Sequence, residues 1–277
     1  MTKLKTDNAS LTIYLDGPTW DGETAATIGD FSCKTPGDGA ALLSDAIDQI
    51  RAAGRDRILG PMSGDTWHSY RFVCESDGSP PFLLEPSNKP HERDVFHAAG
   101  FAAVSHYFSA KMPLAAVDNT PAPDTSAFTV KPWDGEDPEG LFRKVFRLST
   151  QAFAQNAFYK PIAEADFLAM YMPFVPMLKQ DLIFFAWRPD GALAGFLFAL
   201  PNYNEGLETK TAILKTYASL ERGAGRHLVR ACQDACRRLG YETLIHALIH
   251  DDNQSADRSA VEGGKIFRRY ELLGLRL

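Results

Sequence analysis

Thr211-Ala-Ile-Leu-Lys-Thr-Tyr-Ala-Ser219 runs into Leu220-Glu-Arg-Gly-Ala-Gly225, and Arg226 to Leu239 follow with a helical pattern that stops at Gly240. The first run is apolar and β-branched, as a strand requires. The glycines make a tight turn, and Gly240 supplies the left-handed cap that ends a helix. Thr243 to Ile249 is a short β run directly after it. Strand, G-x-G turn, helix and strand form one α/β unit.

The unit occurs twice. Laying Gly37 over Gly223 without gaps puts Gly39 on Gly225, Leu42 on Leu228 and Asp48 on Asp234. Arg51 falls on Arg237, Gly54 on Gly240, and Ile58-Leu59 on Leu244-Ile245. The earlier copy predicts a strand over Ala26 to Cys33, a helix over Ala40 to Ala53 and a strand over Arg57 to Leu59. Such internal repetition is the first feature to settle in any chain.

Val117 to Ala127, rich in Pro, Asp, Ser and Thr, reads as a linker. The expected organisation is a first domain over 1–112, a linker over 113–126 and a second domain over 127–277. The second piece has a full front end: a strand at Phe128 to Trp133, helices at Pro138 to Ala154 and Ile162 to Met172, and a hairpin around Arg188-Pro-Asp-Gly191. In the first piece only Leu11 to Leu15 reads as a remnant of that hairpin. A helix led by Asn88 and a strand over Phe101 to Ala110 close the first piece. A helix led by Asn253 and a strand over Lys265 to Leu273 close the second.

The 277 residues are 45% hydrophobic and 23% charged, an ordinary globular balance. Net charge is −6 and no long basic run occurs, which argues against nucleic acid as a partner. No apolar run approaches a membrane span and no signal segment opens the chain, so a cytoplasmic location without membrane is expected. Cys33, Cys74, Cys232 and Cys236 form no C-x-x-C pair; Cys232 and Cys236 lie one helical turn apart and read as core. His246 and His250 lack a third ligand, and no metal is expected. Rossmann and P-loop patterns fail, because Leu42 or Leu228 stands where a third glycine would be needed and Ile266 follows Gly264-Lys265.

The order β-α-α-β-β-β-α-β-α-β of the second piece, with Leu220-Glu-Arg-Gly-Ala-Gly225, resembles the GNAT acyltransferase superfamily, whose loop is Gln/Arg-x-x-Gly-x-Gly/Ala. Leu220 departs from the Gln/Arg place, with Arg222 nearby as a substitute donor. Lys34-Thr-Pro-Gly-Asp-Gly39 is the counterpart in the first copy. The resemblance implies an α/β (α+β) fold of two tandem GNAT-like units, with mixed, mostly antiparallel sheets flanked by helices and a truncated N-terminal unit. It implies a coenzyme-A-dependent N-acyltransferase moving an acetyl group from acetyl-CoA to an amine, as co-substrate without metal. The acceptor would be a small molecule or peptide; homodimerisation is left open. The alternative is a non-catalytic acyl-CoA or small-ligand binding protein.

By the same resemblance, Lys215, Thr216, Tyr217, Glu221, Arg222, Gly223, Ala224, Gly225, Arg226, His227, Asn253 and Ser255 would hold the coenzyme. A helix N-terminus offers unpaired N–H groups and a positive dipole end to the pyrophosphate. The family's tyrosine, which protonates the leaving thiolate, falls near Ala260, so Tyr217, Tyr270 or Ser255 would substitute, and His246 could act as base. Tyr159, Tyr171, Asn202, Tyr203 and Asn204 are acceptor-pocket candidates. Thr66-Trp-His-Ser-Tyr-Arg71 reads as a strand, and Pro80 to Pro86 as an extended segment covering a sheet edge or lining a cleft.

Overall fold

The computed structural model describes residues 1–116, 127–252 and 264–277. The central linker residues 117–126 and the helix expected from Asn253 to Gly263 lie outside the described residues. The chain divides into two compact units of mixed α/β structure. The first comprises Met1–Phe108, Asn156–Lys160 and Phe267–Leu277; the second comprises Ser109–Gln155 and Pro161–Ile266.

In the first unit β1 (Thr2–Lys5) pairs antiparallel with β2 (Ala9–Tyr14), and β2 with β5 (Ala26–Cys33). Between them β3 (Thr19–Trp20) and β4 (Glu23–Thr24) make a small separate hairpin. Helix α1 (Pro36–Ala52) leads to β6 (Arg57–Gly60), which lies parallel to β5. A crossover through a helix is what permits two parallel neighbours. Next come β7 (Phe72–Ser76), α2 (Pro90–Ala98) and β8 (Ala102–Pro113). Leu42, Leu43, Ala46 and Ile50 of α1 are buried with Ile28, Ile58 and Phe96, the apolar face that the helical spacing demands.

In the second unit β9 (Thr129–Pro132) pairs with β10 (Ile183–Trp187), and β10 with β11 (Leu193–Pro201) about the turn where Arg188 N donates to Ala192 O at 2.8 Å. Helices α3 (Pro138–Ala152) and α4 (Glu164–Tyr171) precede this hairpin and pack through Phe142, Phe146, Phe167 and Tyr171, with Phe142 stacked on Phe198 of β11. Then follow β12 (Thr211–Ser219), α5 (Ala224–Arg238) and β13 (Thr243–His250), with β12 parallel to β13. Leu228, Cys232, Ala235 and Cys236 of α5 are buried against Leu182, Ala212 and Leu244. The two cysteines are thus core residues; mutual hydrogen bonding and burial push the Cys232 thiol well up.

Each unit is completed by a strand from the other half of the sequence. The last strand, β14 (Lys265–Arg276), pairs antiparallel with β6 through Leu273↔Gly60 to Arg276↔Arg57, and with β7 through Arg268↔Ser76 to Glu271↔Phe72. In the second unit β8 is the strand beside β13, where Leu248 N donates to Ser109 Oγ at 2.9 Å. Among the described residues no helix is long and apolar enough to cross a membrane.

One expectation fails locally. Thr66–Arg71 is not a strand: β7 begins only at Phe72. The Asp65 carboxylate accepts from Trp67 N (2.9 Å), His68 N (3.2 Å) and the His68 ring (2.8 Å), and so turns the chain there. An Asp side chain that captures the next backbone donors competes with any strand pairing.

Candidate active site: the bulged strand and the α5 N-terminus

Strand β12 carries one residue more than its neighbour. Phe198 opposes Thr216 and Ala199 opposes Leu214, so Lys215 is the extra residue of a β-bulge. On its other side β12 pairs with β13 from Thr211↔Thr243 to Leu214↔His246, and the pairing ends there. Both strands continue beyond that point, β12 to Ser219 and β13 to His250. A bulge bends and twists its strand, and the bend at Lys215 separates the two parallel strands just ahead of the G-x-G turn. Lys215, Thr216 and Tyr217 are half-buried on the parting strand.

The turn then starts α5 with an open end. Gly223 is the N-cap at φ 99°, a conformation side-chain-bearing residues seldom adopt, and no side chain caps the helix. Its first turn carries no acidic residue, while Arg222 and Arg226 are exposed beside it. Glu221 is held by Arg188 at 3.1 Å, so its charge is compensated. His227 packs edge-on to Phe128 with ring centroids 5.5 Å apart. An uncapped, basic helix N-terminus suits a phosphate.

The same motif is used differently in the first unit. There α1 starts earlier, at Pro36 with Thr35 as N-cap, so Gly37 and Gly39 are helical. Thr35 Oγ1 donates to the Asp38 carboxylate at 2.6 Å and accepts from Asp38 N, which places an anion on the helix end. Strand β5 also bulges, with Asp30 at φ 51° and one extra residue between Gly29↔Thr12 and Ser32↔Ser10. The chain after β6 closes the gap that follows. Met62 N donates to Ile28 O at 2.8 Å, Ser63 Oγ donates to Asp30 Oδ1 at 3.0 Å, and a Cβ on Gly29 would lie 2.5 Å from Ser63 Cα.

The candidate chemical groups fall apart into two sets. Tyr217 and His246 lie on β12 and β13 of the second unit, with the loop Glu221 to His227. Tyr270 lies on β14 in the first unit, where its buried hydroxyl donates to the Glu85 carboxylate. It belongs to the first unit, where β14 pairs with β6 and β7. Asn253 and Ser255, like Ala260, lie outside the described residues. Of the acceptor candidates, Tyr171 joins the α3–α4 aromatic cluster, and buried Asn202 donates to Glu205 at 2.8 Å beside Tyr203 and Asn204. Tyr159 instead packs on Trp67 in the first unit, with centroids 6.0 Å apart. The bulge at Lys215 was missed from sequence; only the paired strands together reveal an extra residue.

Burial lowers the pKa of His246 from 6.5 to about 4, so its imidazole is neutral at pH 7. The unfolded chain takes up this proton near pH 6.5, and the folded chain only near pH 4. Stability is therefore expected to fall as pH drops from 6.5 towards 4, by up to about 3 kcal/mol from this group. Denaturant titrations across that range should show a shallower pH slope in His246→Gln. An unchanged slope would mean that His246 is not buried in this way.

Residues 144–260 match the model of the acetyltransferase (GNAT) family. No curated protein matches the sequence. Among solved structures, a GCN5-related N-acetyltransferase from Sphaerobacter thermophilus is similar at TM-score 0.59 and 12% identity, over 97% of this chain and 76% of that one. A tandem GNAT protein from the clavulanic acid biosynthesis pathway is similar at TM-score 0.55 and 15% identity, over 97% and 79%. A GCN5-related N-acetyltransferase from Anabaena variabilis gives 0.57 and 10%, over 96% of this chain but 58% of that one. At such identities the likeness is one of fold. The chain has a tandem GNAT-like fold, and its residues 144–260 match the acetyltransferase (GNAT) family.

Proposed function

We propose that the protein is a coenzyme-A-dependent N-acyltransferase that moves an acetyl group from acetyl-CoA to an amine of a small molecule or peptide, and that only the second unit binds the coenzyme. The observation that carries this reading is the bulge at Lys215 with the parting of β12 from β13, leading directly into the uncapped N-terminus of α5. The loop Glu221 to His227 would receive the pyrophosphate on backbone N–H groups, with Arg222 and Arg226 adding positive charge. The thioester would then lie along Lys215, Thr216 and Tyr217.

In the reaction the amine nitrogen forms a bond to the thioester carbonyl carbon. The oxygen gains negative charge, which backbone N–H donors of the bulged strand would stabilise. The C–S bond then breaks and the thiolate takes up a proton, for which Tyr217 is the nearest assigned donor on β12. The amine must lose a proton. His246 is neutral and able to accept one, although a pKa of about 4 makes it a weak base.

Calorimetric titration with acetyl-CoA tests the binding step. Gly223→Trp is expected to weaken binding by at least about 100-fold, because φ 99° and close phosphate approach both need glycine. Gly37→Trp should leave binding unchanged, since Gly37 lies in the first unit and a Cβ there would meet nothing closer than Thr35 Oγ1 at 4.0 Å. No heat and no thermal shift at millimolar acetyl-CoA would reject the reading. Leu220 in the Gln/Arg place favours the second reading, a protein that binds without turnover. Acetyl-CoA bound without thiol release across a panel of amines would decide for it.

A further inference from the structure

The end of β5 and the first turn of α2 bring together three unlike donors that the acyl-transfer reading does not use. The Cys33 thiol, the His91 imidazole and the Glu92 carboxylate place their ligand atoms within 4.8 Å of one another in the first unit. We propose that Cys33, His91 and Glu92 form a site for a divalent transition-metal ion of the zinc type.

Sulfur, nitrogen and oxygen donors together suit a borderline ion such as Zn²⁺ rather than Mg²⁺ or Ca²⁺. A tetrahedral ion with bonds of about 2.0–2.3 Å holds its donors roughly 3.5 Å apart. The triad is thus slightly wider than a closed site, and a small rotation of His91, which is only half-buried, draws it in. Three protein ligands leave the fourth position to water. Thiolate and carboxylate together match the ion's two charges.

The donors are oriented from behind. Glu92 accepts from Cys33 N (3.2 Å), Ser32 Oγ (3.3 Å) and Lys89 N (2.9 Å). A carboxylate has about four lone-pair directions, so one remains for an ion. Outer-shell bonds of this kind fix the geometry of ligating carboxylates. The Cys33 sulfur rests against Gly39, where a Cβ would come within 2.8 Å of it. Three contacts must yield. His91 Nε2 gives up Cys33 O, at 3.2 Å, and the Lys89 ammonium, which donates to Cys33 O at 2.8 Å and lies 3.8 Å from Glu92, swings outward on a side chain that is 52% exposed. The ion then replaces Lys89 as the countercharge of Glu92 and ties β5 to α2.

The test uses the full-length chain after chelator treatment. Titration with Co²⁺ should give one equivalent of binding with a thiolate-to-cobalt charge-transfer band, which Zn²⁺ then abolishes by displacement. Cys33→Ser should remove the band, His91→Ala should weaken binding by about tenfold or more, and Cys74→Ser should change neither. Absence of the band, its survival in Cys33→Ser, its loss in Cys74→Ser, or unchanged affinity in His91→Ala would each overturn the proposal. Should Cys33→Ser fail to fold, His91→Ala decides alone, because its side chain is only half-buried.

Discussion

Deletion of Phe267–Leu277 is expected to unfold the first unit. These residues come from the end of the chain, yet they supply the strand that pairs with both β6 and β7 of the first unit. Tyr270, Leu272 and Leu273 are each 0% exposed, and Leu273 belongs to the same core cluster as Ile28, Leu43 and Phe96. Loss of one large buried side chain costs about 2–5 kcal/mol. Three together reach the whole stability of an ordinary domain, about 5–15 kcal/mol. The deletion also strips β6 and β7 of their ladder partner and bares apolar strand edges, which invites aggregation. Limited proteolysis should cut the truncated protein within residues 1–108 under conditions where the full chain resists. A truncated protein with the original melting curve and cleavage pattern would contradict this account of β14.

The deletion bears on how much of the fold could be read from the residues alone. Local signals were strong where one element decides its own form. Ala26 to Cys33 is a strand over the predicted span, and Arg188-Pro-Asp-Gly191 makes the predicted turn. The apolar spacing from Leu228 to Cys236 gives the buried face of α5. The destination of β14 was not legible, because Leu272 and Leu273 would satisfy any apolar face. Strand partners are set by pairing across the chain, and no local pattern encodes them. The two G-x-G turns look alike in sequence, yet Gly223 caps α5 while Gly37 and Gly39 lie within α1. Pro36 and the Thr35–Asp38 cap start that helix early, a signal present in the sequence and outweighed by the match of glycines. The Lys215 bulge and the cluster of Cys33, His91 and Glu92 both depend on contacts that spacing does not reveal.

Replacement of Glu85 by Ala is expected to cost about 3–5 kcal/mol, the typical penalty for breaking a buried ion pair from one side. The side chains of Arg268 and Glu85 are only 5% and 1% exposed, and their Nε–Oε1 distance is 2.9 Å. Arg268 also donates to Ser76 Oγ and to the carbonyls of Ser79 (2.9 Å) and Pro80 (3.3 Å), and Tyr270 donates to the same carboxylate. Without Glu85 the guanidinium stays buried without its countercharge, and Tyr270 loses its acceptor. The Pro-framed segment Ser79 to Pro86 would then keep Phe82 against Phe267, centroids 6.2 Å apart, and the Arg268 bonds to the Ser79 and Pro80 carbonyls, but lose the carboxylate that fixes the guanidinium. An exposed pair gives the control. Arg51 and Asp48 are 57% and 70% exposed, so Asp48→Ala should cost less than about 1 kcal/mol. Urea titration of both variants separates the cases. Equal effects would show that Arg268 finds solvent or another partner and that the pair does not hold the segment. Replacing both members, Glu85→Leu with Arg268→Met, should recover most of the loss, because the large penalty belongs to the stranded charge more than to the pair itself.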